Sequence, residues 1–177
     1  AVRDPGERFT EDSLRILRGI RFASRFRLEI EAETEKAMGE LAPLMENLAR
    51  ERVFEELCKL LVLVSAEDLI RFSPILCQVI PELRPTLNFD QHSCHHAYDL
   101  FTHIAHVTAA VPGELVLRWA ALLHDCGKPA RFSIDFRGDG HFYGHAYESA
   151  RRAEEALTRL RCDKETCARV TRLIALH

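Results

Sequence analysis

Apolar residues recur at helical spacing along nearly the whole chain. Leu14, Leu17 and Ile20 repeat through to Phe26, and Thr10-Glu11-Asp12 before them reads as an N-terminal cap with acids in the first turn. A second helix is predicted over Ala32 to Leu41, after the acidic stretch Glu29 to Glu35. A third covers Ala49 to Val64, with Val53, Phe54, Leu57, Leu60 and Leu61 on its apolar side. Asp68 to Ile80 reads as a shorter helix interrupted at Pro74, and Pro81 and Pro85 bracket a turn. Beyond it, Tyr98 to Ala110 is predicted helical and ends at Pro112-Gly113. Val116 to Cys126 forms the most apolar helix, terminated by Gly127-Lys128-Pro129. Arg131 to Gly144 is irregular, a loop or short hairpin, and His145 to Leu160 and Lys164 to His177 are two more amphipathic helices. Neither repeats nor an alternating strand series interrupt this pattern. The expected fold class is all-α, a helical segment over residues 1–85 followed by a helical domain over residues 86–177.

Composition narrows the class without changing it. Hydrophobic residues make up 47% and charged residues 29% of the 177, the balance of a soluble globular chain. The longest apolar run, Leu60 to Val64, is far too short to span a bilayer, so no membrane partner is expected. The opening Ala-Val-Arg-Asp-Pro-Gly-Glu-Arg has no apolar core behind it to act as a secretory signal. The six cysteines contain no Cys-x-x-Cys pair and read as reduced thiols of a cytoplasmic protein. The chain opens without methionine and closes inside a helical pattern, which reads as a piece of a longer protein.

Charge and histidine are unevenly placed. Residues 1–27 hold seven arginines against four acids, a locally basic segment suited to phosphate. All nine histidines lie between His92 and His177, which points to metal or acid–base work in the second half.

Two constellations carry candidate chemistry. In Arg8-Phe9-Thr10-Glu11-Asp12-Ser13-Leu14-Arg15-Ile16-Leu17-Arg18-Gly19-Ile20-Arg21-Phe22-Ala23, Asp12 and Arg15 are three residues apart, one helical turn. An acceptor carboxylate beside a forked guanidinium matches the hydrogen-bonding edge of a nucleobase. On spacing alone an Asp–Arg ion pair on a solvated face is the simpler reading. The string R-F-x-E-D-x-L-R-x-L-R-x-I-R-F-A, preceded by Asp4-Pro5, resembles the nucleotide-selecting neck of class II tRNA nucleotidyltransferases and bacterial poly(A) polymerases. That resemblance implies that Asp12 and Arg15 pair with the base of CTP or ATP, with Glu11 in support. Arg18, Arg21 and Arg25 would meet triphosphate or tRNA backbone, or else form salt bridges at the core edge. Glu51 to Leu61 resembles a later neck motif and reads as structural. The Gly-Ser and D-x-D carboxylates that hold the transfer metals in this family have no counterpart here, so nucleotide addition is not expected of this chain alone.

In the second constellation, His124-Asp125 closes the apolar stretch Leu117 to Leu123, and His103 lies 21 residues earlier on the preceding predicted helix. Ionisable neighbours at the end of a buried helix are costly unless a partner such as a metal pairs with them. Imidazole and carboxylate suit Mg²⁺, Mn²⁺, Ni²⁺, Fe²⁺ or Zn²⁺. The run H-D-x-G-K-P, with Tyr98 to His103 upstream and Gly-His145-Ala-Tyr-Glu-Ser downstream, resembles the HD domain appended to some bacterial CCA-adding enzymes. The resemblance implies that His103, His124 and Asp125 ligate metal, that His145 and His177 hold a second ion, and that Lys128 contacts a substrate phosphate. The chemistry implied is metal-dependent phosphoester hydrolysis, with His124, Asp125 and Lys128 at its centre. The pattern's closing aspartate would follow His177, where this chain stops, leaving Asp163 and Glu165 as poor substitutes. His92, His95, His96, His106 and His141 read as capping, surface or core-edge groups, and Asp99 as a helix-surface acid or a support for a ligating histidine. Three readings follow: neck plus HD domain of a tRNA nucleotidyltransferase, an independently acting HD phosphohydrolase, or an RNA-binding module with a vestigial metal site.

Overall fold

A computed structural model describes residues 4–92 and 98–177. The expected all-α architecture is what these residues adopt. The first half contains α1 (Pro5–Glu11), α2 (Leu14–Phe26), α3 (Ala32–Leu41), α4 (Arg50–Leu61), α5 (Ala66–Arg71) and α6 (Ser73–Val79). The second contains α7 (Leu100–Ala110), α8 (Leu115–Leu123), α9 (His145–Arg159) and α10 (Lys164–Ala175). Between α8 and α9 a small antiparallel hairpin pairs Ser133–Ile134 (β1) with Gly140–His141 (β2).

The first two helices depart from the sequence pattern. Thr10-Glu11-Asp12 does not start the arginine helix but ends α1, a short helix that no apolar period marks. The cause is local. Asp4 accepts the Gly6 N–H at 2.8 Å, and Pro5 occupies the first turn, where its missing N–H costs nothing. Asp12 then turns extended (φ −152°, ψ 97°) and separates α1 from α2. The interruption expected at Pro74 is present, with α5 ending at Arg71 and α6 opening at Ser73. Pro74 lies in the first turn of α6, while α5 starts earlier, where Ser65 accepts the Asp68 N–H at 3.1 Å. The helix expected from Tyr98 begins at Leu100, because Asp99 caps it.

α2 buries Leu14, Ile16, Leu17, Ile20 and Ala23 and packs beside α4. α4 contributes Glu56, a buried carboxylate that gathers Arg21 Nε (3.0 Å), Lys59 Nζ (3.1 Å) and Arg18 Nε (3.7 Å). Burial opposes ionisation of Glu56, but hydrogen bonds from Lys59 and Arg21 outweigh it and hold its pKa below the usual value. Arg21 is therefore a core-edge partner of Glu56 rather than a free phosphate contact.

One buried core runs across the division expected at residues 85 and 86. Phe54 of α4 stacks on the fully buried Trp119 of α8, with ring centroids 5.7 Å apart. Arg159 of α9 donates to both Glu82 oxygens (2.9 and 2.7 Å) and to the Val79 carbonyl (3.1 Å). The second half is thereby fixed against the first, and the turn after α8 is seated deep in the molecule.

Candidate metal centre

α8 is apolar on nearly every side. Val116, Trp119, Ala120, Ala121, Leu122 and Leu123 are all buried, which draws the residues at its C-terminal end into the interior. His124 caps the helix and Asp125 begins the turn that leads through Gly127 to Lys128. That turn is clamped by α9. The Gly127 N–H donates to Ser149 Oγ at 2.9 Å, and a Cβ on Gly127 would lie 2.5 Å from the Ser149 nitrogen. α7 presents His103, the N-terminal end of α9 presents His145 after Gly144 in a left-handed conformation, and the end of α10 brings back His177.

These four histidines converge on one carboxylate. Asp125 is 1% exposed. Its Oδ2 lies 3.2 Å from His124 Nε2, 3.6 Å from His103 Nε2 and 2.8 Å from Lys128 Nζ. Its Oδ1 lies 3.4 Å from His145 Nε2 and 3.6 Å from His177 Nε2, and is buried without a hydrogen-bond partner among the described residues. Burial opposes the charge on Asp125, yet the His124 hydrogen bond and the Lys128 ammonium hold its pKa well below the carboxylate range. Burial also lowers the pKa of His145, which favours its neutral form.

The backbone assigns the protons. His124 Nδ1 meets the Ala121 carbonyl at 2.7 Å, His145 Nδ1 the Phe142 carbonyl at 2.8 Å, and His177 Nδ1 the Ile174 carbonyl at 2.5 Å. A carbonyl only accepts, so each Nδ1 carries a proton and leaves Nε2 as the nitrogen turned toward Asp125. A cation seated between these nitrogens and the carboxylate would take the Nε2 lone pairs as ligands. His103, His124 and Asp125 form one set of donor atoms within 4.8 Å of one another, and Asp125, His145 and His177 form a second. Asp125 is common to both, as a carboxylate bridging two ions would be. The orphaned buried Oδ1 and the donor chemistry fit a divalent cation.

Other residues singled out by sequence sit elsewhere. Asp99 accepts the Thr102 N–H (3.1 Å) and hydroxyl (2.5 Å) as the cap of α7, and Asp163 accepts the Thr166 N–H (2.8 Å) as the cap of α10. His106 stacks on Tyr98, and His141 pairs with Asp135 at 3.1 Å. His92 stacks on Phe132, and His95 and His96 lie outside the described residues. Gln91 was not foreseen: its Oε1 accepts from Lys128 Nζ at 3.2 Å. Nor was Ser149. Neither is marked by a local pattern, since each meets its partner over more than 20 residues of sequence.

The arginine segment is arranged differently from the spacing-based expectation. Asp12 and Arg15 are one turn apart, the Asp12 carbonyl accepting the Arg15 N–H at 3.1 Å, but their side chains turn to different partners. Asp12 lies between α1 and α2, where its Oδ1 accepts the Leu14 N–H (3.2 Å) and its Oδ2 accepts from Arg52 Nη2 (3.1 Å). Arg15 donates to Glu11 Oε2 (2.8 Å), which also accepts from Arg8 (2.6 Å), and to the Arg8 carbonyl (2.9 Å). A cleft of about 470 Å³ opens between Glu11, Asp12, Leu48 and Arg52.

The chain matches the family model described as the probable RNA and SrmB-binding site of polymerase A over residues 27–86. It matches the HD domain over residues 94–177. It is 34% identical over 97% of its length to a CC-adding tRNA nucleotidyltransferase of Thermus thermophilus. It is 32% identical over 94% to an A-adding tRNA nucleotidyltransferase of Deinococcus radiodurans, and 32% over 92% to a multifunctional CCA protein of Aromatoleum aromaticum. The chain spans about two-fifths of these relatives, 42%, 41% and 42% of their respective lengths. An RNA-binding segment followed by an HD domain, matched along nearly all of this sequence by such relatives, marks the chain as a homologue of the corresponding part of tRNA nucleotidyltransferases.

Proposed function

We propose that the chain serves a cytoplasmic tRNA nucleotidyltransferase as its tRNA-binding neck, joined to an HD domain that hydrolyses phosphoesters with a divalent metal. The observation that carries the second part is the convergence of four imidazole nitrogens on the buried Asp125, three of them from rings whose Nδ1 is taken by a backbone carbonyl. His103, His124 and Asp125 would hold one ion, and His145 and His177, with Asp125, a second. The mixed nitrogen and oxygen donors favour Mn²⁺, Fe²⁺, Ni²⁺ or Zn²⁺ over Mg²⁺, which prefers oxygen. A divalent ion there supplies Lewis-acid polarisation of the phosphoester and of the attacking water.

The protein's own groups do the rest. The backbone carbonyls of Ala121, Phe142 and Ile174 orient the imidazoles, and Asp125 supplies the negative charge. Lys128, 8% exposed, places an ammonium beside that carboxylate, where a substrate phosphate oxygen can meet it. In the first half, Asp12, Arg15, Glu11 and Arg18 are assigned to recognition of CTP or ATP in the complete enzyme. The open cleft lined by Glu11 and Asp12 supports the part of these two residues in that assignment. The relatives' names favour this reading over a free-standing phosphohydrolase.

Metal analysis with a 2′,3′-cyclic phosphodiesterase assay tests the HD assignment. Protein loaded with Mn²⁺ or Ni²⁺ should hydrolyse the substrate; protein that takes up no metal and cleaves nothing refutes it. For base selection, Asp12→Ala and Arg15→Ala in the complete enzyme should disturb the choice between CTP and ATP, and unchanged selectivity would refute that role.

A further inference from the structure

Gln91 lies in the short connection between the two matched segments, yet it is as deeply buried as the core, at 2% exposure. Several contacts hold it there. The His92 carbonyl accepts the Gly140 N–H of the hairpin at 2.9 Å, and the Phe89 carbonyl accepts the Leu100 N–H that starts α7 at 3.1 Å. The Phe89 ring meets Phe132 edge-on at 5.3 Å. A Cβ on Gly140 would stand 2.3 Å from the Gln91 carbonyl oxygen, so this approach requires glycine at position 140. From this seat the Gln91 side chain accepts from Lys128 through Oε1 at 3.2 Å, while its Nε2 is buried without a hydrogen-bond partner among the described residues.

Lys128 has three N–H donors. One meets Asp125 Oδ2 at 2.8 Å and one meets Gln91 Oε1. A divalent ion ligated by Asp125 competes with the ammonium for that carboxylate and repels it. Gln91 is neutral and is not drawn into that competition. It keeps the ammonium at the site with a donor left for an oxyanion.

We propose that Gln91 is a positioning residue for Lys128, so that the connection between the neck and the HD domain forms part of the phosphate-recognition apparatus. The proposal rests on the reading of the second half as a metal-dependent phosphohydrolase. It places a group of the interdomain connection, rather than of the HD helices, in control of how an anionic substrate is gripped.

A double-mutant cycle on the full chain tests it, with Gln91→Leu, Lys128→Met and the pair. The first readout is the affinity of Mn²⁺-loaded protein for inorganic phosphate, by calorimetry. The second is hydrolysis of bis(p-nitrophenyl) phosphate, resolved into kcat and KM. Gln91→Leu should weaken phosphate binding and raise KM about tenfold, with Mn²⁺ affinity unchanged within twofold. In the Lys128→Met background it should change neither, because the residue acts only through the ammonium. Gln91→Glu, which keeps an acceptor for the ammonium, should restore most of the wild-type KM. An equal effect of Gln91→Leu with and without Lys128 overturns the proposal, as does unchanged phosphate affinity in the single variant. Wild-type protein that binds Mn²⁺ and phosphate but turns nothing over overturns the hydrolase reading instead, and the cycle is then read in phosphate affinity alone.

Discussion

Gly127 and Ser149 are locked together at the point where α9 meets the turn that follows α8. The Gly127 N–H donates to Ser149 Oγ at 2.9 Å, and the two backbones approach too closely for any side chain at position 127. This contact orients Asp125, two residues earlier, toward His145, which begins the same α9. Ser149→Ala leaves a buried N–H unsatisfied and should cost about 1–3 kcal/mol. Gly127→Ala must displace α9 and should cost more. Both should lower Mn²⁺ affinity, Gly127→Ala by tenfold or more. Thermal denaturation with metal calorimetry measures both effects, and intact affinity in Gly127→Ala contradicts the clamp.

The shared core predicts cooperative unfolding. Trp119 is fully buried in α8 and stacks on Phe54 of α4, so its loss is felt on both sides of the chain. Trp119→Ala should cost about 3–5 kcal/mol. Calorimetry should show one transition in the wild type and one, shifted down, in the variant. Two separated transitions would mean that the halves fold independently.

Acid should destabilise the fold through Glu148. Hydrogen bonds from Arg151, countered by burial and reinforced by Arg152, bring its pKa down to about 2. A carboxylate depressed in the folded state stabilises above its unfolded pKa of about 4.3 and loses that contribution as pH falls toward its folded value. Wild-type stability should therefore decline between about pH 4.3 and about pH 2. Glu148→Gln should be less stable at neutral pH and show a shallower decline across that window, as followed by denaturant titrations at successive pH values.

Binding of a divalent ion to the folded state should raise the melting temperature. At a free concentration a hundredfold above Kd the gain is about 2.7 kcal/mol. His103→Ala and His145→Ala should each reduce the shift, because each removes one member of a different donor set. A shift that persists in full in both variants would place the ion elsewhere.

Much of this was legible in the sequence, for identifiable reasons. α3 begins and ends at the expected residues, Ala32 and Leu41, because a run of good helix formers with Glu33 and Glu35 in the first turn is a local signal. His103, His124, Asp125, His145 and His177 were grouped by a spaced motif, and all five meet. Asp12 was misplaced because the Asp4-Pro5 cap, an equally local signal, nucleates an extra helix that ends beside it. The partners Arg52 of Asp12, Ser149 of Gly127 and Gln91 of Lys128 had no such signal. Each pair is brought together by packing of distant elements, and a single sequence carries no period or spacing that marks such a contact.

The central claim is that Asp125 and the histidines around it form a metal centre. Isothermal titration of wild-type protein and Asp125→Asn with Mn²⁺, after chelator treatment, tests it most directly. The account predicts binding of one or two ions in the wild type and loss of that binding in Asp125→Asn, since this carboxylate belongs to both donor sets. Absence of binding in the wild type, or equal binding in Asp125→Asn, would contradict it.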